Sequence, residues 1–178
     1  MTDQAQNVNT MIRKNPIGLP EADAQQIVQF LNTDLASMQV LYNQYHKHHW
    51  IAEGAEFFEI HLLLEEHYTQ LHDQYDLVAE RIVTLGGLPV SSPTDLQKHA
   101  YIQHEEQGLH DLREMIGHDL QAERQLSEHM RKHVGQAEQL GDYGTETLLK
   151  GVLEATEKRA AFLEKHLMRE SLSRTIPA

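Results

Sequence analysis

The run from Glu56 to about Leu85 constrains this chain more than any other stretch. It contains neither proline nor glycine, and its apolar residues recur at a helical period, so it predicts one long helix. With His61 set at 0° and about 100° added per residue, Phe57, Ile60, Leu64, Leu71, Tyr75, Val78, Ile82 and Leu85 fall within roughly 240–320°, the face expected to pack on a core. His61, His72, Glu65, Asp76 and Glu80 fall at about 0°, 20°, 40°, 60° and 100° on the same wheel. A stripe of imidazoles and carboxylates therefore runs directly beside the packing stripe.

Spacing along the axis restricts what that stripe can do. His61 and Glu65, His72 and Asp76, and Asp76 and Glu80 are each one turn apart and can share a ligand. His61 and Glu80, however, are separated by about 28 Å at 1.5 Å per residue. One copy of the helix cannot gather all five groups around one metal. Two antiparallel copies across a two-fold axis can, with His61 and Glu65 of one facing Asp76 and Glu80 of the other, and the symmetry then makes two sites. The stripe predicts a dimer.

Composition narrows the chemistry. The 178 residues suffice for one domain with a sizeable core, and 40% are hydrophobic with few aromatics, which favours an all-α fold. No apolar run approaches the length of a membrane span. The polar N-terminus lacks an apolar h-region, so no signal peptide is expected and the expected location is cytoplasmic. Without cysteine, the strong ligands are His, Asp and Glu, a set that suits iron, manganese or zinc. Against 15 basic residues stand 27 acidic ones, a formal charge of −12, which repels phosphate backbones unless a local basic patch overrides it. The N-terminal stretch offers only Arg13 and Lys14, and the C-terminal Lys165, Arg169 and Arg174 are sparse, so DNA binding is expected to be weak or absent.

Four long helices follow from the pattern. Residues 1–19 read as a flexible or strapped tail. A first helix runs from near Pro20 to near Trp50, its last turn crowded by His46, His48 and His49, of which His46 and His48 read as C-terminal capping. The second ends at Gly86-Gly87 before Pro89. Residues 88–106 form a crossover with a short amphipathic segment from about Asp95 to Gln103. The third helix spans about Gly108 to Glu138, with Leu109, Leu112, Met115, Ile116, Leu120, Leu126, Met130 and Val134 as its apolar stripe. His129 and His133 on it form an i,i+4 pair that is either a solvated pair or a metal site. The fourth spans about Thr145 to Ser171, so the bundle covers residues 20–171 and a C-terminal tail residues 172–178. A crossover of this length lets the second and third helices run parallel, as in ferritin-like folds. The Glu-x-x-His ligand motif of iron sites inside such bundles is absent, which again directs attention to a subunit interface.

The pattern H-W-x3-G-x2-F-x3-H-x3-(D/E)-x10-D-x3-E, here His49, Trp50, Gly54, Phe57, His61, Glu65, Asp76 and Glu80, resembles the signature of the Dps family, the mini-ferritins named as DNA-binding proteins from starved cells. The likeness covers the whole four-helix layout, including the short helix in the crossover. It implies a ferritin-like bundle that assembles into a hollow dodecamer with ferroxidase centres at its two-fold interfaces. In that pattern His49, Asp76 and Glu80 come from one subunit, and His61 and the acid at position 65 from its neighbour. Two residues depart from it: Glu65 stands where Asp is usual, and His72 where an apolar residue is usual. His72 is then either an added imidazole ligand, which would favour zinc or alter iron handling, or a neutral interface histidine.

The implied activity is oxidation of Fe(II), with hydrogen peroxide rather than dioxygen as the favoured oxidant, followed by storage of an Fe(III) mineral and protection against oxidative stress. Trp50 either packs at the interface or takes up oxidising equivalents beside the metals. Asp142 and Glu146 either line a pore or cap the last helix, and Glu66 is a candidate for seeding mineral. The rival readings are a DNA-compacting nucleoid protein and a zinc-binding helical oligomer with little ferroxidase activity.

Overall fold

The computed structural model describes residues 13–168. Its order is α1 (Glu21–Ile51), α2 (Phe57–Thr84), α3 (Pro93–His99), α4 (Leu112–Gln139) and α5 (Tyr143–Leu167). Four long helices and one short crossover helix match the expected layout. The last helix ends at Leu167, where the backbone turns extended at Met168, and residues 169–171 of its expected extension lie outside the described residues. Arg169, Arg174 and the tail 172–178 lie outside the described residues, as do residues 1–12 of the N-terminal tail.

α1 packs along α2 and α4 along α5, and α1 against α4 joins the two hairpins. The wheel drawn for α2 holds for most of its length: Ile60, Leu64, Leu71, Val78, Ile82 and Leu85 are buried against Ile27, Leu31, Leu35, Met38 and Leu41 of α1. Phe57 is the exception, 40% exposed. It begins α2 where α1 has already ended at Ile51.

Helix ends follow local chemistry. α2 stops in a turn that needs a left-handed residue, Gly86 at φ +84°. There Gly87 N–H donates to the Ile82 carbonyl at 2.9 Å and Gly86 N–H to that of Val83, the bonding of a Schellman motif. Any side chain at Gly86 would also collide with the Arg13 carbonyl, which accepts nothing less close than a bare backbone. Arg13 N–H in turn donates to the Gly86 carbonyl at 2.7 Å, so residues 13–19 are a strap over the end of α2. α4 begins at Leu112, four residues later than expected, because the Asp111 carboxylate accepts from Glu114 N–H and caps it. Leu109, expected in the core, is consequently loop and 86% exposed.

Polar residues buried on α1 staple the crossover. Asn32 donates to the Leu88 carbonyl and accepts from Val90 N–H. The Ser37 hydroxyl accepts from Tyr101 N–H, and the Gln44 side-chain carbonyl from Glu105 N–H. The middle of the bundle, where ligands of an internal iron site would lie, is filled instead by Arg159. Its guanidinium pairs with Glu123 and donates to Gln70, Gln74 and Thr156, while Tyr45 O–H donates to Glu123 at 2.7 Å. α1, α2, α4 and α5 meet in this one satisfied network. No described helix is long and apolar enough to cross a membrane.

Candidate metal centre

The turn between α1 and α2, residues 52–56, folds the second helix back on the first. Gly54 takes φ +109° in it, and Phe57 N–H donates to the Gly54 carbonyl. The fold-back lays His49 against His61, their rings stacked with centroids 3.7 Å apart. Each ring's Nδ1 donates to the other residue's backbone carbonyl at 2.9 Å. These crossed bonds orient both rings and leave both Nε2 atoms without a hydrogen bond among the described residues, the arrangement that orients metal-ligating histidines. Glu65, one turn on from His61, completes a group whose ligand atoms all lie within 4.8 Å of one another.

This placement corrects one expectation. The resemblance paired His49 with Asp76 and Glu80, but His49 stands with His61 and Glu65 of its own chain. The reason is axial distance: Asp76 and Glu80 follow Glu65 by about 16 and 22 Å along α2, whereas the hairpin brings the end of α1 to the start of α2. Asp76 and Glu80 are exposed and lie outside the group. A single chain thus presents two imidazoles and one carboxylate at one end of the stripe, and two carboxylates further along it.

His72 sits on the stripe between them, its imidazole 53% exposed and 3.5 Å from Asp73. It leans on the rings of Tyr42 and Tyr75. Trp50 is 69% exposed and stacks on His46, which also lies against Tyr68. Glu66 is exposed and shares a shallow depression with Leu62, Glu65, Thr69 and Asp73.

Of the other sequence candidates, Asp142 takes the capping alternative and the histidines find partners far along the chain. Asp142 caps α5 by accepting from Thr145 N–H at 3.0 Å, and its carboxylate is clasped by Arg81. With its side chain 4% exposed, that carboxylate is committed within the chain, which speaks against a pore-lining role. Glu146 pairs with Lys150 one turn along. His133 is neither solvated nor a free ligand: it is buried, with Nδ1 donating to Asp34 at 2.7 Å, while His129 stacks on Tyr101. His48, read as a helix-end cap, is fully buried between Asp119 at 2.8 Å and Glu105 at 2.9 Å. Burial works against its charge, but the two carboxylates outweigh it and hold its pKa above the ordinary value. The His48–Asp119 and His133–Asp34 pairings join residues 71 and 99 positions apart, beyond any helical period.

A ferritin-like domain model matches residues 28–172, which sets the class as a ferritin-like helical protein. The chain is 40% identical over 163 residues to a nutrient stress-induced DNA-binding protein of Synechococcus, covering 92% of this chain and 93% of that one. It superposes on an archaeal Dps homologue from Halobacterium salinarum with a TM-score of 0.88 at 34% identity, covering 98% of each chain. It superposes as well on a Dps protein of Vibrio cholerae, described as a member of a broad superfamily of ferritin-like diiron-carboxylate proteins. There the TM-score is 0.82 at 33% identity, over 86% of this chain and 96% of that one. The chain belongs to the Dps family.

Proposed function

We propose that this protein oxidises Fe(II) at centres shared between subunits and stores the product as an Fe(III) mineral inside a dodecameric cage. The observation that carries this reading is the crossed pair His49 and His61, whose Nε2 atoms are held free beside the Glu65 carboxylate. The exposed Asp76 and Glu80 of an antiparallel second copy supply the missing oxygen ligands. Iron is the substrate. Two Fe(II) give one electron each to hydrogen peroxide, whose O–O bond breaks, and two protons complete two waters. Neutral imidazoles suit Fe(II) on arrival, and three carboxylates stabilise the Fe(III) that forms. His72 stands one turn before Asp76, where its half-exposed ring adds an imidazole to the partner's side. Glu66 faces solvent next to Glu65 as a first seat for mineral. The setting is cytoplasmic protection against peroxide and iron together.

The test is anaerobic Fe(II) oxidation with added peroxide, comparing the native chain with a His61→Ala, Asp76→Ala variant. Fast oxidation with mineral retained in a particle of about twelve chains, a closed symmetric shell, supports the reading if the variant falls to the rate of iron and peroxide alone. Equal rates, or tight zinc retention without oxidation, would sink it.

The name of the Synechococcus relative favours a second reading, DNA binding. A net charge of −12 opposes it, because affinity for a polyanion comes chiefly from counterion release by basic groups. A gel shift at low salt separates the two: tight retention of duplex DNA would reinstate the nucleoid role.

A further inference from the structure

A second set of metal-ligating groups lies on the far side of α1's last turn, and the iron reading makes no use of it. Glu105 and His110 come from the loop between α3 and α4, and His118 from the second turn of α4. One carboxylate oxygen and two imidazole nitrogens from these three residues lie within 4.8 Å of one another. They wall a cleft of about 580 Å³ together with Gln44, Tyr101 and Gln121.

The geometry converges on one carboxylate. His118 Nδ1 lies 2.6 Å from Glu105 Oε2, and His110 Nε2 lies 3.7 Å from Oε1. The two imidazoles meet edge to face, 5.3 Å between centroids. Glu105 is held rigidly for this encounter, its side chain 5% exposed and paired with Lys47. Its backbone N–H donates to Gln44 at 3.1 Å. Behind it stands His48, fully buried, with Nε2 at 2.9 Å from Oε1. Among the described residues no other acceptor reaches this nitrogen. Asp119 fixes the opposite nitrogen of His48 at 2.8 Å. An Asp119–His48–Glu105 chain thus backs the cleft as outer-shell partners back a metal ligand.

Lys47 and His48 already suffice to neutralise Glu105. His110 and His118 add two more nitrogens on its outer side, with 22% and 41% of their side chains left open to solvent. Two imidazoles and one carboxylate with an open face suit a borderline divalent cation. We propose that Glu105, His110 and His118 form a second, mononuclear site for a divalent first-row transition cation. The ion takes the position of the proton shared by His118 and Glu105, water fills its remaining places, and Lys47 and His48 hold the carboxylate still. None of these ligands belongs to the iron half-site, so the site stands independently of the ferroxidase reading.

Equilibrium dialysis with Zn(II) tests this on the assembled full chain carrying His61→Ala and Asp76→Ala, so that the interface centre is disabled. A single equivalent should bind per chain. It should weaken by at least about tenfold in His110→Gln and in His118→Gln, and stay unchanged in His99→Gln, a histidine on α3 outside the group. His110 lies in a loop and makes no buried bond, so its substitution leaves the fold intact even if a change at Glu105 does not. Zinc anomalous scattering should place the ion between Glu105 and His118. Undiminished affinity in both His110→Gln and His118→Gln overturns the site. An equal loss in His99→Gln reduces the binding to general surface histidines and overturns it as well.

Discussion

His48 and His49 are neighbours in sequence and opposites in structure. His48 is buried to 0% exposure and has a carboxylate within 3 Å of each ring nitrogen. His49 is half-buried, with Nδ1 committed to the His61 carbonyl and Nε2 left open. A step of about 100° around α1 separates the two. One side chain enters the ion-pair network that ties α1 to α4 and its preceding loop, and the other reaches the α2 surface. What an imidazole can do is decided by which of its nitrogens the fold leaves without a partner, and residue type alone does not reveal that.

Paired substitutions sharpen the contrast. His49→Ala is expected to slow Fe(II) oxidation by at least about tenfold while leaving the folded state nearly as stable, since it removes a half-exposed ring. His48→Ala leaves two buried carboxylates facing each other and should lower the unfolding free energy by about 3–5 kcal/mol. Denaturant unfolding at fixed protein concentration, run beside the oxidation assay, checks both. If the two variants lose the same function and the same stability, the contrast fails.

A smaller effect is expected from His67 on α2, which is buried edge-on against Tyr45, its Nδ1 without a hydrogen-bond partner among the described residues. Burial, with Arg159 and His166 nearby, pushes its pKa down to about 3 from 6.5. The native state keeps this ring neutral while the unfolded chain takes up a proton. Stability is therefore full above about pH 6.5 and drains away as pH falls towards 3, by roughly 2 kcal/mol between pH 7 and pH 5. Urea titrations at several pH values should show this slope, flattened in His67→Leu. The smallest change belongs to the surface pair Arg131 and Glu157, whose side chains are 57% and 46% exposed. Arg131→Ala should shift stability by less than about 1 kcal/mol, and a larger loss would mean this face is covered in the assembled protein.

Much of the architecture was legible because helical period and stop signals are local. The packing stripe of α2, its glycine stop and the crossover with its short helix all follow from neighbours within a turn or two. The start of α4 departs from the expectation because the apolar period runs back to Leu109, while the decisive signal is the cap, Asp111 three residues before Glu114. The proposed iron ligands His61 and Glu65 are visible through i,i+4 spacing, and His49 only through the family pattern. Its grouping with His61 and Glu65 depends on how the five-residue turn closes, which spacing along one helix does not encode. The Glu105 cluster was hidden for a stronger reason: two of its members lie in a loop without period, and His48 looked like an ordinary helix end.

The crossed bonds between His49 and His61 have a bearing on timing. In the proposed function the rings, locked by their own hairpin, give each subunit its share of the centre as it folds, before any partner arrives. That share stops at three ligands, and the acids Asp76 and Glu80 are out of its reach. In the proposed scheme a lone subunit can gather iron but is poorly equipped to oxidise it. Completion waits for the neighbour, and the neighbour comes with the closing shell. Reactive chemistry would thus be switched on by enclosure itself, at the moment when there is somewhere to put the rust.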